Sequence, residues 1–336
     1  MIAFSMIVFS FFIDEYPGAR FFDRLTTSVV IVAILAVGQS IVIITRNVDL
    51  SVGSIVGFTA YLTGDFLATF GSAGPIAAIG IAIVAGAVLG SINGALVAFG
   101  GVPAIIATLG TLAVFRTAMG LYAGGIDITV DRLPDWVLEF NQRSVLTIGG
   151  FDLTLIFVIT IAVVAFFQWF LARVRGGRRL YAIGSNPDAA SQAGLPAARL
   201  IFLAFLTSGA LAGLAGFMYL TRVGTISAAA GAGLELRSVA AAVVGGVSIL
   251  GGSGTVLGAF LGALLLDELR LSLIRLPAIS EFWIEAALGA LILVAVVLDA
   301  TLRKRLNSRW AAEVRRSIGE PAPVTQGIPE GGSADA

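Results

Sequence analysis

The chain has 336 residues, of which 57% are hydrophobic and only 12% charged, with 21 acidic and 21 basic side chains. A soluble globular chain carries roughly 25% charged residues, so this composition describes a polytopic membrane protein. Zero net charge and the lack of a basic stripe outside the tail give nucleic-acid binding no footing.

Absent residue types narrow the chemistry. The chain has no His, no Cys and a single lysine, Lys304. Zinc sites built on His or Cys, Ser-His and Cys-His nucleophiles, disulfides and iron-sulfur clusters are therefore excluded. Lys304 follows Arg303 rather than a glycine, so no P-loop is present. The sequence LTGDF around Asp65 lacks the first glycine of the Gly-x-Gly-Asp used by intramembrane aspartyl proteases. We assign no catalytic residue, no metal ligand and no cofactor, and read the chain as a non-enzyme.

A helix needs about 20 apolar residues to cross the hydrocarbon core. Residues 1–13 are apolar but reach only about 20 Å at 1.5 Å per residue, which suggests a start placed late. The following spans are predicted over 27–45, 50–70, 76–98, 104–124, 151–172, 200–221, 236–252, 255–273 and 283–299. The long unbroken runs speak against a β-barrel, and glycines beside Ala and Ser suit close helix packing in lipid. Arg173, Arg175, Arg178 and Arg179 follow one span, and Arg303, Lys304 and Arg305 follow the last. Both clusters belong in the cytoplasm by the positive-inside rule. The resulting expectation is an all-α polytopic protein of about ten transmembrane helices with both termini cytoplasmic. Its membrane domain is 1–305, with a cytoplasmic loop over 173–199. The polar tail 306–336, rich in Pro and Gly, is expected to be disordered.

Between two apolar runs stands TRNVDLSVGSI, Thr45 to Ile55. It is expected at a cytoplasmic turn, where Asp49 or Ser51 caps the next helix and Arg46 snorkels. A second reading comes from AGLELRSVAAAVVGG, in which Glu235-Leu236-Arg237 follows Asp49-Leu50-Ser51 by 186 residues. The two stretches begin the third and eighth helices, giving two halves of five. Five is odd, so the halves are inverted in the membrane, and substrate would pass where they meet.

The loop RGGRRLYAIGSNPDAASQAGLPAAR is punctuated as a short helix. Ser185 or Asn186 caps it, Pro187 takes the first position, Asp188 suits the positive end, and Gly194 with Pro196 stops it. Ala189, Ala190, Ser191 and Gln192 give it a small, polar surface that suits docking to another protein. A helix lying on the headgroups is the alternative, disfavoured by the weak amphipathicity.

Polar groups inside spans are the remaining candidates. Gln39 and Asn93 can bond a neighbouring helix or a passing hydroxyl. Arg116 lies too deep to snorkel easily and needs a partner, which Asp65 can supply. It is either a structural pair or a lining residue of a passage. Asp267, Glu268 and Arg270 read as interfacial groups with a local i,i+3 pair. Gln39, Asp49, Ser51, Asn93, Arg116 and Glu235 form the candidate translocation path or helix break.

TRNVDLSVGSIVG, VPAIIATLGTLAVFR, YAIGSNPDAASQAGLP and GLELRSVAAAVVGGVSILGGSGTVLGAFLGALLL together resemble the permease subunits of ATP-binding-cassette importers for monosaccharides. That family includes ribose, xylose, galactose, rhamnose and autoinducer-2 permeases. TRNVDLSVGS, the Gly-Leu-Pro stop and GGSG before Ile274 to Pro277 look closest to the autoinducer-2 and rhamnose branch. The resemblance implies an inner-membrane permease whose Asn186, Pro187, Asp188, Ala189, Ala190, Gln192 and Gly194 form the coupling helix that seats on an ATPase subunit. ATP is then bound by that subunit. An extracytoplasmic sugar-binding protein would meet the acidic loop Asp127 to Asp152, and a second permease copy or a related permease would complete the pore. A secondary transporter or channel that needs no ATPase is the alternative.

Overall fold

Ser28 to Ile44 offers almost no polar side chain to any direction, so a helix containing it has no face for water. In the computed structural model it forms most of α2 (Ala19–Ile44), and Val29, Val30, Ala33, Ile34, Ala36 and Val37 are fully buried. The structure describes residues 1–13 and 16–276 and five isolated positions, 283, 286, 289, 290 and 293. The predicted span 283–299, those positions aside, and the tail 306–336 lie outside the described residues.

A short helix, α1 (Ile2–Ser10), leads into α2. Then come α3 (Val52–Thr69), α4 (Pro75–Ala98) and α5 (Ala104–Ala123). A 3-10 turn (Val130–Arg132) and α6 (Trp136–Gln142) precede an antiparallel hairpin of β1 (Ser144–Ile148) and β2 (Phe151–Thr154). Gly149 and Gly150 turn it with φ of 58° and 83°, the left-handed pair that a two-residue hairpin demands. α7 (Leu155–Arg173) leads directly to α8 (Arg175–Ser185) and α9 (Pro187–Gln192). α10 (Ala197–Val223), α11 (Leu234–Val244) and α12 (Val256–Ile274) complete the described chain.

α4 and α10 come together backbone to backbone. A Cβ built on Gly209 would lie 2.3 Å from Gly86 O, and one on Gly90 would lie 2.5 Å from Phe205 O. Small residues at four-residue spacing, Ala82, Gly86 and Gly90 against Gly209 and Gly213, make this approach possible where no hydrophobic effect drives helices together in lipid. On their outer faces these helices are apolar: Ile76, Val84 and Val88 of α4 are all exposed.

Five described helices are long and apolar enough to cross a bilayer: α2, α4, α5, α7 and α10. The expected span 236–252 is realised as α11, of 11 residues, which reaches only about 16 Å. Gly245 ends it, and Gly246, at φ 87°, turns the chain into a loop that runs to Thr255. The expected span 151–172 begins as strand β2 and becomes helical only after Thr154.

Candidate functional site at the broken helices

After Ile44 the chain exposes Arg46 and then turns back into the bundle, so α3 starts among buried residues. Asp49, Ser51, Val52 and Ile55 are all fully buried. A polar turn buried this deeply must satisfy its own groups, and its neighbours do so. The Gln39 carboxamide clasps the Asp49 backbone, Nε2 donating to Asp49 O while Oε1 accepts from Asp49 N. The Asp49 carboxylate accepts from Ser51 N at 3.0 Å and Ser51 Oγ at 2.7 Å through Oδ1, and from Ser208 Oγ at 3.4 Å through Oδ2. Asn93 Nδ2 donates to Ser51 Oγ at 2.7 Å, and Thr111 Oγ1 donates to Asn93 Oδ1 at 2.6 Å. One network thus joins α2, α3, α4, α5 and α10.

Four predicted residues, Gln39, Asp49, Ser51 and Asn93, therefore come together. The expected helix cap is corrected: Ser51, at the N-cap of α3, makes no side-chain cap bond, and the Asp49 carboxylate accepts from Ser51 itself. Arg46 does not simply snorkel. At φ 67° it donates from Nε to Gly184 O at 2.5 Å and from Nη2 to Ser185 O at 2.9 Å. The GGSG loop joins the same seam, with Gly252 N donating to Ile44 O at 2.9 Å and Tyr181 OH to Gly254 O at 2.8 Å. Burial pushes the Tyr181 phenol above its ordinary value, so it donates as a neutral hydroxyl. A Cβ on Gly184 would sit 1.8 Å from Ile44 O, so only glycine permits this seam.

The 186-residue repeat acquires a spatial meaning. A Cβ on Gly53 would lie 2.0 Å from Glu235 Oε2 and 2.6 Å from Gly231 O, so the first turn of α3 abuts the start of α11. Gly231 itself has φ 76°. Glu235 Oε1 accepts from Gly233 N at 3.2 Å, whereas Oε2 is buried without a hydrogen-bond partner among the described residues. Arg116 Nε and Nη2 are likewise buried without such a partner. Arg116 stands one turn before Met119 on α5, and the Met119 sulfur would lie 3.4 Å from a Cβ on Gly57. The expected Arg116 to Asp65 contact is absent, because Asp65 Oδ2 instead accepts from Tyr122 OH at 2.6 Å.

α9 has the predicted punctuation. Asn186 Oδ1 accepts from Ala189 N at 3.0 Å, Pro187 opens the helix, and Gly194 follows at φ 71°. Asp188, Ala189 and Gln192 are exposed, but Ala190 turns inward and is 5% exposed. Small size at Ala190 therefore serves packing within this chain. Sequence reasoning missed Ser208, Thr111 and Arg46 as members of these clusters. It also misread the α12 acids: Asp267 accepts from Ser28 Oγ, while Glu268 is fully buried and accepts from Ser5, Tyr16 and Ser272.

A helical bundle of membrane-crossing length, with two helices that start inside it around a polar cluster, has the architecture of a solute permease. A family model described as "Branched-chain amino acid transport system / permease component" matches residues 21–297, and the chain belongs to that family. It is 36% identical to the autoinducer 2 import system permease protein LsrC of Shigella flexneri over 328 residues, 97% of this chain and 92% of that protein. Its identity to the protein of the same name from Enterobacter sp. (strain 638) is 39% over 284 residues, 84% of this chain and 79% of the relative. The corresponding Salmonella paratyphi B protein is 36% identical over 315 residues, 93% of this chain and 87% of the relative. No solved structure matches the chain.

Proposed function

We propose that this chain is the membrane-spanning permease subunit of an ATP-binding-cassette importer for a sugar-like solute, in the bacterial inner membrane. The similarity to autoinducer 2 import permeases over nearly the whole chain carries the reading. In this proposal ten helices form two inverted halves with both termini cytoplasmic, and solute passes near the meeting of α3 with α11. Glu235 Oε2 and the Arg116 guanidinium are the polar groups best suited to face it, since each has buried atoms without a partner in the described residues. A buried unpaired charge-bearing atom costs several kcal/mol, a cost that a passing hydroxyl relieves. Affinity for the solute belongs to an extracytoplasmic binding protein docked on the face that holds the hairpin. A second permease copy or a related permease shares the pore.

α9 is the proposed seat of an ATPase subunit, which binds the ATP. Its neighbour α8 is fastened through Arg46 to the turn between α2 and α3. Movement of α9 has a direct mechanical path to the break beside Asp49. The test is ATPase activity in proteoliposomes of the assembled complex, titrated with autoinducer 2, ribose, rhamnose and xylose. One ligand is expected to stimulate turnover, and Ala189→Glu, which places a charge on the exposed face of α9, is expected to abolish stimulation while leaving membrane insertion intact. If no ATPase subunit associates with the chain, the reading fails in favour of a secondary transporter or channel.

A further inference from the structure

Along α7, Ala162, Phe166, Trp169 and Arg173 follow one another at the spacing of a single helix face, and all four are exposed. The opposite face, Ile156, Thr160, Val164 and Leu171, is buried. In an apolar helix of membrane-crossing length the exposed stripe is the one that meets lipid. Trp169, near its end, is the amphipathic side chain that settles at a membrane–water boundary. Arg173 stands on the same stripe four residues on, about 6 Å further along the axis, at the level of the headgroup phosphates. The patch continues on α8, where Gly177, Leu180, Ile183 and Gly184 are buried and Arg175, Arg178 and Arg179 are exposed. A Cβ on Gly177 would lie 2.4 Å from Phe170 O, so the start of α8 is pressed against the last turn of α7 and its arginines stay at that level. The far end of α8 is held by Tyr181 OH on Gly254 O and by Arg46 on the carbonyls of Gly184 and Ser185. Four guanidinium groups in the seven residues 173–179 are therefore carried on fixed helices beside a lipid-facing tryptophan. A guanidinium fork pairs with phosphate oxygens two at a time, and a basic cluster directly beside a membrane span is attracted to an anionic bilayer surface.

We propose that Arg173, Arg175, Arg178 and Arg179, with Trp169 setting their depth, form a binding surface for the headgroups of anionic phospholipids. The inference rests on α7 lying across the bilayer, as in the proposed permease. It is separate from the α3–α11 junction, so it stands whether or not that junction passes solute.

The full-length chain with Trp169 as its only tryptophan (Trp136→Phe, Trp283→Phe, Trp310→Phe) would be reconstituted in phosphatidylcholine vesicles containing phosphatidylglycerol. Brominated acyl chains, which quench a tryptophan they touch, would be carried by each lipid in turn. Both lipids are expected to quench Trp169, with phosphatidylglycerol associating about fivefold more strongly than its mole fraction requires, the factor that one arginine near an anionic surface supplies. Combining Arg173→Gln with Arg178→Gln brings that ratio to about one, and Arg173→Lys retains part of the preference. Arg132→Gln, an exposed charge between α5 and α6, leaves it unchanged. High salt weakens the preference of the unsubstituted arginines too, a readout that needs no further variant. Quenching without preference for the anionic lipid, or a preference lost equally in the Arg132 variant and the double variant, overturns the proposal and leaves the arginines to water or a protein partner. Quenching by neither lipid would show that Trp169 does not face the bilayer, which removes the placement of α7 and the proposal with it.

Discussion

At the residue scale, Asp49 and Arg46 do opposite work three positions apart. Asp49 satisfies donors that have no other outlet: Ser51 N, Ser51 Oγ and Ser208 Oγ all give to its carboxylate. Asp49→Ala leaves those buried donors unpaired, at about 1–3 kcal/mol for each group that water cannot reach. Asp49→Asn keeps one accepting oxygen, so unfolding of the purified protein is expected in the order wild type, Asn, then Ala, from most to least stable. Arg46, by contrast, is exposed and gives its N–H groups to the last carbonyls of α8. Arg46→Ala is expected to leave global stability nearly unchanged while α9 exchanges its amide protons faster, by about tenfold for each 1.4 kcal/mol of anchoring lost. Hydrogen exchange read at Ala189, Ala190 and Gln192 separates this from a general loss of fold.

At the scale of elements, the α4–α10 seam shows how glycine acts in a bundle with little else to pull helices together. A Cβ on Gly209 has backbone on every side, with Gly86 O at 2.3 Å and Gly90 Cα at 2.6 Å, so the helices must part. Gly209→Ala is therefore expected to destabilise by about 1–3 kcal/mol. Gly110→Ala on α5, where a Cβ meets nothing within 4 Å, is expected to be neutral or to gain up to about 1 kcal/mol of helix propensity. Denaturation of the two variants in parallel checks the contrast. The same residue type explains which elements were legible in the sequence. Gly194 between a capped helix and Pro196 reads unambiguously as a stop, and α9 lies where its punctuation puts it. Gly245-Gly246 inside an apolar run reads equally as tight packing or as a helix end. The structure takes the second, so α11 is much shorter than its hydropathy suggests. Gly149-Gly150 is a strong hairpin signal overlooked because an apolar run follows it. In the polar cluster, Gln39, Asn93 and Asp49 stand out because such side chains need partners in an apolar segment. Ser208 and Thr111 do not, because a helical hydroxyl can bond its own preceding turn and so carries little signal. Thr111 does both, giving to Thr108 O at 3.3 Å as well as to Asn93.

For the whole molecule, the decisive geometry is α7. Its 19 residues rise about 28 Å, the thickness of the hydrocarbon core, and they join the hairpin directly to α8. We propose that α7 crosses the membrane, which puts the hairpin and α9 on opposite sides of it, whatever the absolute orientation. Charge chooses the direction. From residue 126 to 152 the acids Asp127, Asp131, Asp135, Glu139 and Asp152 face only Arg132 and Arg143, while Arg173, Arg175, Arg178 and Arg179 gather around α8. In the proposed orientation the basic side is the cytoplasmic one, as the positive-inside rule favours. Because the natural chain has no cysteine, single substitutions report without background. Thr147→Cys on β1 is expected to react with a membrane-impermeant maleimide in intact spheroplasts. Ser191→Cys on exposed α9 is expected to react only in inverted vesicles or after permeabilisation. Labelling of both from one side would mean that α7 does not cross, and with it the inverted arrangement of the two halves would fall. Labelling with the sides exchanged would keep the crossing and place α9 where no cytoplasmic ATPase can reach it.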